Sequence, residues 1–122
     1  MPGIKLLTKL DAPTCLKLAW RAAQDSSYSL TPLESGTKRF TATKGNAVLG
    51  LLAGALAPHC VFQVSAESYS DATEVAIEKI KPWLSGGAVG VSKVNRQAEE
   101  LLTAIARAIE REGGAILERK EF

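Results

Sequence analysis

Ser92–Gly114 reads SKVNRQAEELLTAIARAIEREGG, and this stretch decides the fold. Val94, Ala98, Leu101, Leu102, Ile105, Ala108 and Ile109 recur at helical spacing on one face. Arg96, Glu99, Glu100, Thr103, Arg107 and Glu110 occupy the other. Ser92 is the expected N-cap, and Gly113–Gly114 the expected left-handed stop. A long helix with a single apolar stripe needs a broad apolar surface to lie on, and the segments before it supply a sheet.

Working back toward the N-terminus, Pro82–Gly90 reads as a loop that feeds this helix. Residues 71–80 carry two patterns. Thr73, Val75 and Ile77 alternate as a strand, with Tyr69-Ser70-Asp71 as a hairpin turn. A capping box at Asp71–Glu74 followed by Ala76, Ile77, Ile80 and Trp83 would instead make a helix. The strand is favoured, because β-branched residues are costly in a helix and the strand before it needs an antiparallel partner. That preceding strand is Cys60–Ser68, with Phe62, Val64, Ala66 and Ser68 on one face and Val61, Gln63, Ser65 and Glu67 on the other.

Ala47–Ala57 is apolar throughout and reads as a short buried helix between Asn46 and Pro58, with a buried strand as the competing reading. Tyr28–Leu33 and Thr37–Lys44 form a hairpin around Glu34-Ser35-Gly36, and Pro32 places the first of these strands at an edge. Gly3–Leu10 is a strand. Asp11 caps a helix whose stripe is Cys15, Leu18, Ala19 and Ala22, widened by Leu16 and Trp20 and fading at Asp25–Ser27. After the long helix, Ala115–Glu121 is a terminal strand whose charges suit a sheet edge.

The expected architecture is one α+β domain over residues 1–122. It has two layers, an antiparallel sheet of five to six strands covered by helices, one of them long and C-terminal. The β-α-β4-α order resembles the half-repeat of TBP-like domains, and also a reduced helix-grip fold of the START kind, in which a long C-terminal helix closes a curved sheet around an apolar cavity. Both resemblances rest on element order. The chain departs from both in the insert at 47–57 and in the strand after the long helix, and fold analogy of this kind carries no function.

Composition narrows the classes. Net charge is +2, far from the balance of an obligate nucleic-acid binder. Residues 1–44 hold seven basic and three acidic side chains, 7 − 3 = +4, which makes a weakly anion-attracting half. Basic residues are not interleaved with aromatics, so no nucleic-acid partner is expected. Two cysteines, Cys15 and Cys60, make no disulfide framework and read as small core residues. Lys5 and Lys9 interrupt any signal-peptide core, and Ala47–Ala57 is too short to span a bilayer, so the expectation is a cytoplasmic protein with no membrane partner.

No motif announces catalysis, and no cofactor is implied. The glycine run Trp83–Lys93 does not fit a P-loop or a dinucleotide fingerprint. Glycines before a helix start can nonetheless leave amides free for a ligand, with Lys93 in the first turn. His59 neighbours Cys60, but two adjacent residues diverge on a strand, and a metal site needs three or four ligands.

The residues assigned to ligand binding are therefore Trp83, Gly86, Gly87, Gly90, Lys93 and His59, with no catalytic and no metal residue. The leading expectation is a non-enzymatic domain that binds a small apolar or amphipathic ligand in a cavity between sheet and long helix near Trp83. A homodimer, joined through sheet edges or sheet faces, comes second. An enzyme using His59 with a carboxylate comes third, and nucleic-acid binding through residues 1–44 comes last.

Overall fold

Alternation fixes which side of each strand is covered. In the computed structural model, which describes residues 3–31, 38–44, 60–80 and 87–122 (side chains from Val94 onward in the last range), Cys60, Phe62, Val64 and Ala66 are buried, and Val61, Gln63, Ser65 and Glu67 are half-buried on the opposite side. The same two-residue period runs through Ile4, Leu6 and Thr8, through Phe40 and Ala42, and through Thr73, Val75 and Ile77.

The elements are β1 (Gly3–Thr8), α1 (Ala12–Asp25), β2 (Ser29–Leu30), β3 (Arg39–Lys44), β4 (Cys60–Ser68), β5 (Thr73–Lys79), α2 (Gly87–Arg111) and β6 (Ile116–Glu121). They form a six-stranded sheet in the order β2-β3-β4-β5-β1-β6, antiparallel at every pairing. The protein is a two-layer α+β fold with an open antiparallel sheet. β1 lies between β5 and β6, so the first strand of the chain is interior and the last is an edge.

Residues 71–80 resolve as β5, paired with β4 from Phe62↔Lys79 to Ser68↔Thr73. Tyr69 N–H donates to the Ala72 carbonyl at 2.7 Å and closes the hairpin. The strand pattern won because Val75 and Ile77 go fully under the helices while Glu74 and Glu78 stay on the open side. The β2–β3 pair is antiparallel as expected, and among the described residues β2 is Ser29–Leu30, the expected strand's Pro32 and Leu33 and the turn Glu34–Gly36 lying outside them. Tyr28 is lost to the strand because its N–H is taken by the Ala23 carbonyl, 3.0 Å away, in the turn that ends α1. The reading of residues 47–57 falls outside the described residues.

Helix α1 starts as anticipated. Asp11 accepts from the Thr14 N–H at 3.1 Å, and Pro13 sits harmlessly in the first turn. Its buried residues are Ala12, Cys15, Ala19, Ala22 and Ala23, all small. Trp20 flanks them and meets Phe40 edge-on, with ring centroids 5.1 Å apart.

Helix α2 corrects one boundary. It begins at Gly87, ahead of the expected Ser92 cap. Two helical glycines cost about 1 kcal/mol each, but extending an existing helix gains one hydrogen bond per residue fixed, so the long segment nucleated further on propagates through them. Its stripe packs as expected through Val94, Ala98, Leu101, Leu102, Ile105 and Ile109. Each large aliphatic side chain here contributes roughly 1.5–3 kcal/mol by burial. Ala108, expected in the stripe, is only half-buried, and Ala106 is buried in its stead.

The sheet face opposite the helices carries two charged rows set one pleat apart. Glu67, Glu74, Leu7 and Glu118 are neighbours across β4, β5, β1 and β6. Arg39, Ser65, Ala76, Lys5 and Lys120 form the next row. Lys5 bridges them, 3.5 Å from a Glu74 carboxylate oxygen and 5.5 Å from the Phe122 ring centroid.

Candidate functional site

Three of the six sequence-assigned residues are described, and they lie in the N-terminal part of one helix, at one pole of the domain. Gly87, Gly90 and Lys93 all lie within α2. Lys93 is therefore in the second turn of the helix, not its first. Trp83, Gly86 and His59 lie outside the described residues, and so does the cavity expected beside Trp83.

At this pole β3 ends, β4 begins and β5 ends, and polar side chains meet α2. Lys44 Nζ lies 3.4 Å from Gln97 Oε1 and 5.0 Å from the Tyr28 ring centroid. Tyr28 Oη is 3.5 Å from the same Gln97 oxygen. Lys79, buried under α2, donates to Asn95 Oδ1. Burial pushes the Cys60 thiol up to about 11 against the opposing pull of Lys44. Burial also pushes the Tyr28 hydroxyl up, reinforced by Cys60 and Glu100. In both cases burial favours the neutral form of the group.

A better-formed concavity lies on the opposite surface of the helical layer. Where α1 and α2 run side by side, they leave a groove between them. Leu18, Ala22, Ala104 and Ala108 floor a groove of about 630 Å³. Its rim holds Arg21, Asp25 and Ser26 from the α1 side and Arg107, Glu110 and Arg111 from α2. Arg107 and Arg111 stand one turn apart and so share a face. Arg111 Nε donates to the Arg107 carbonyl at 3.4 Å, which holds its cation where the helix dipole favours it. Among the described residues no carboxylate lies within 4.0 Å of Arg21, Arg107 or Arg111. A floor of methyl groups with three such guanidinium groups at its edge can take an apolar body and hold an oxyanion.

The open sheet face offers less, a depression of about 230 Å³ over Ser65 and Ala76 edged by Arg39, Glu74, Glu78 and Phe122. No group of three His, Cys, Asp or Glu residues among the described ones is placed to hold a metal. No described helix is long and apolar enough to cross a membrane.

No protein-family model matches the chain, and no curated protein matches it either.

Sequence reasoning missed the groove. It placed Ala108 in the core stripe and Arg107 on a solvated face. Only the adjacency of α1 and α2, which the sequence does not state, joins them to Arg21 and Ala22. The signal that was available is the row Ala104–Ala108 beside Arg107–Arg111, a small-residue strip next to a basic one.

Proposed function

We propose that this chain is a non-enzymatic binding domain for a small amphipathic ligand, and that the ligand lies in the α1–α2 groove. The observation that carries this reading is the groove itself. Its volume of about 630 Å³ suits a small organic molecule, and its floor is apolar and its rim polar. A chain with two cysteines, both buried, carries no disulfide framework, and that usage supports a cytoplasmic setting.

Native mass spectrometry of the protein as purified, compared with its denatured mass, tests the reading. An added small-molecule mass is expected on the wild type and on Trp83→Ala, and is expected to vanish from Ala108→Phe, which fills the floor. Retention by Ala108→Phe with loss from Trp83→Ala would favour instead the residues that the sequence assigns, Trp83, Gly86, Gly87, Gly90, Lys93 and His59. A bare wild-type mass would overturn the reading.

A second reading, a homodimer, is favoured by the charged rows of the open sheet face. A two-fold axis parallel to the rows and midway between them would set the acidic row of one copy over the basic row of the other. Glu118 would then meet the second copy's Lys120. Interface cores are depleted of Lys and Glu, so this association would be weak and salt-sensitive. Sedimentation at low and high salt decides: a dimer lost on adding salt supports the face, and a monomer at every concentration removes it.

A further inference from the structure

Resting on the groove reading, we infer that the ligand is an amphipathic anion, an organic molecule with an apolar body and one oxyanion head, and that Arg21 and Arg107 recognise the head. The floor of the groove is Leu18, Ala22, Ala104 and Ala108, so a ligand body that fills it makes only apolar contacts. Selectivity therefore resides in the rim, where three guanidinium groups face two carboxylates, 3 − 2 = +1.

The carboxylates do not neutralise the arginines, since none comes within 4.0 Å of a guanidinium in the described residues. Asp25 is the last residue of α1 and Glu110 lies in the last turn of α2. At both places the helix dipole disfavours negative charge, so the guanidinium groups have to outweigh it for a ligand head as well. Arg111 is partly committed to the Arg107 carbonyl, whereas the Arg21 and Arg107 guanidinium groups have no hydrogen-bond partner among the described residues. A guanidinium presents a planar fork that matches carboxylate and phosphate oxygens two at a time. Two such forks, one on each helix wall, select an anionic head over a neutral or cationic one of the same body size. The shared chemistry is the oxyanion, and a carboxylate and a phosphate monoester are its two sources.

The test uses the full chain and four probes with the same eight-carbon body: octanoate, octyl phosphate, octanol and octylammonium. Affinities are read by amide chemical-shift titration. The better of the two anions is expected to bind at least about tenfold more tightly than octanol, the effect of one charge-assisted contact. Which anion wins identifies the head. In the double variant Arg21→Gln/Arg107→Gln, the anion is expected to lose its advantage over octanol. Octanol binding as tightly as both anions, octylammonium binding more tightly, or an anion preference that survives the double variant would overturn the inference while leaving the groove reading in place. Failure of all four probes to shift the residues of the groove would overturn the groove reading and this inference together.

Discussion

Glu67 and Glu74 stand directly opposite each other on β4 and β5, on the sheet face away from α1 and α2. Glu74 has Lys5 at 3.5 Å. Among the described residues, Glu67 has the hydroxyl of Tyr69, which donates to it at 3.3 Å. The negative potential of the pair reaches that hydroxyl, since Glu74 and then Glu67 push Tyr69 above the usual phenol range. Like charges directly opposed on a sheet are destabilising. Glu67→Lys is therefore expected to raise stability by roughly 0.5 kcal/mol in low salt, and the gain should shrink in 1 M salt. Urea unfolding at the two salt concentrations checks both parts, and an unchanged midpoint in low salt refutes the first.

The two helices end in the same hydrogen-bonded turn with different residues at its critical position. In α2, Gly113 has φ 88° and the Gly114 N–H donates to the Ile109 carbonyl at 2.9 Å. In α1, Ser27 has φ 70° and the Tyr28 N–H donates to the Ala23 carbonyl at 3.0 Å. Serine pays the steric cost of the left-handed conformation, which glycine avoids. Ser27→Gly should stabilise by about 0.5–1 kcal/mol. Gly113→Ala should destabilise by about 1 kcal/mol, and wholly through the backbone, because a Cβ there meets nothing within 4 Å. Thermal unfolding of the pair of variants should move in opposite directions.

Alkaline stability should track the buried thiols. Burial pushes both Cys15 and Cys60 up to about 11, above the roughly 8.5 of an exposed thiol. The unfolded chain thus releases protons first as pH rises. The contribution of the two thiols is complete below about pH 8.5 and is lost progressively up to about pH 11. Denaturation midpoints measured from pH 7.5 to 10.5 should fall, and fall less steeply in Cys15→Ala/Cys60→Ala. A parallel decline in that variant would assign the alkaline loss to other groups, with Tyr28 the first to examine.

At the acid end the group to watch is Asp11. Its hydrogen bonds from Thr14, through Oγ1 at 2.8–2.9 Å and N–H at 3.1 Å, hold its carboxyl below the ordinary value. The unfolded chain takes up the proton first, so the capping contribution is present above about pH 4 and is lost as pH falls further. Asp11→Asn keeps an N-cap without the titration. Its stability at pH 7 should stay close to wild type, and its acid limb should be shallower.

How much of this was legible in the sequence follows from the range of the interaction involved. β4, β5 and the apolar stripe of α2 were readable because period two and period 3.6 are local, and burial then enforced them at Phe62, Ile77 and Leu102. The competing helix over 71–80 lost on the same local ground, β-branching at Thr73, Val75 and Ile77. The start of α2 misled because Ser92 is a good cap, and no local rule says that a helix will run back through Gly90 and Gly87. Lys79 is buried because it continues the alternation of Val75 and Ile77 on the helix-facing side of β5. The groove was illegible for a different reason: Ala22 and Ala108 lie far apart in the chain, and nothing local marks their helices as neighbours.

The last strand is secured from one side. β6 is exposed at every position except Ile116, and among the described residues its ladder partner is β1 alone. Arg119 reaches across to α2, where Nη1 donates to Thr103 Oγ1 at 2.9 Å and Nη2 to the Glu99 carbonyl at 3.1 Å. Such a tie matters most where little apolar area is buried, since local opening is then governed by a few hydrogen bonds. Arg119→Ala should cost about 1 kcal/mol in the opening free energy of β6. Amide exchange should accelerate several-fold at Arg119–Phe122 and at Gly3, whose N–H donates to the Phe122 carbonyl at 3.2 Å. Amides of β4 and β5 should be unaffected, because their exchange requires the core to open. Uniform acceleration across the sheet would show instead that β6 opens only with the whole domain, which would make the Arg119 contacts part of the global stability.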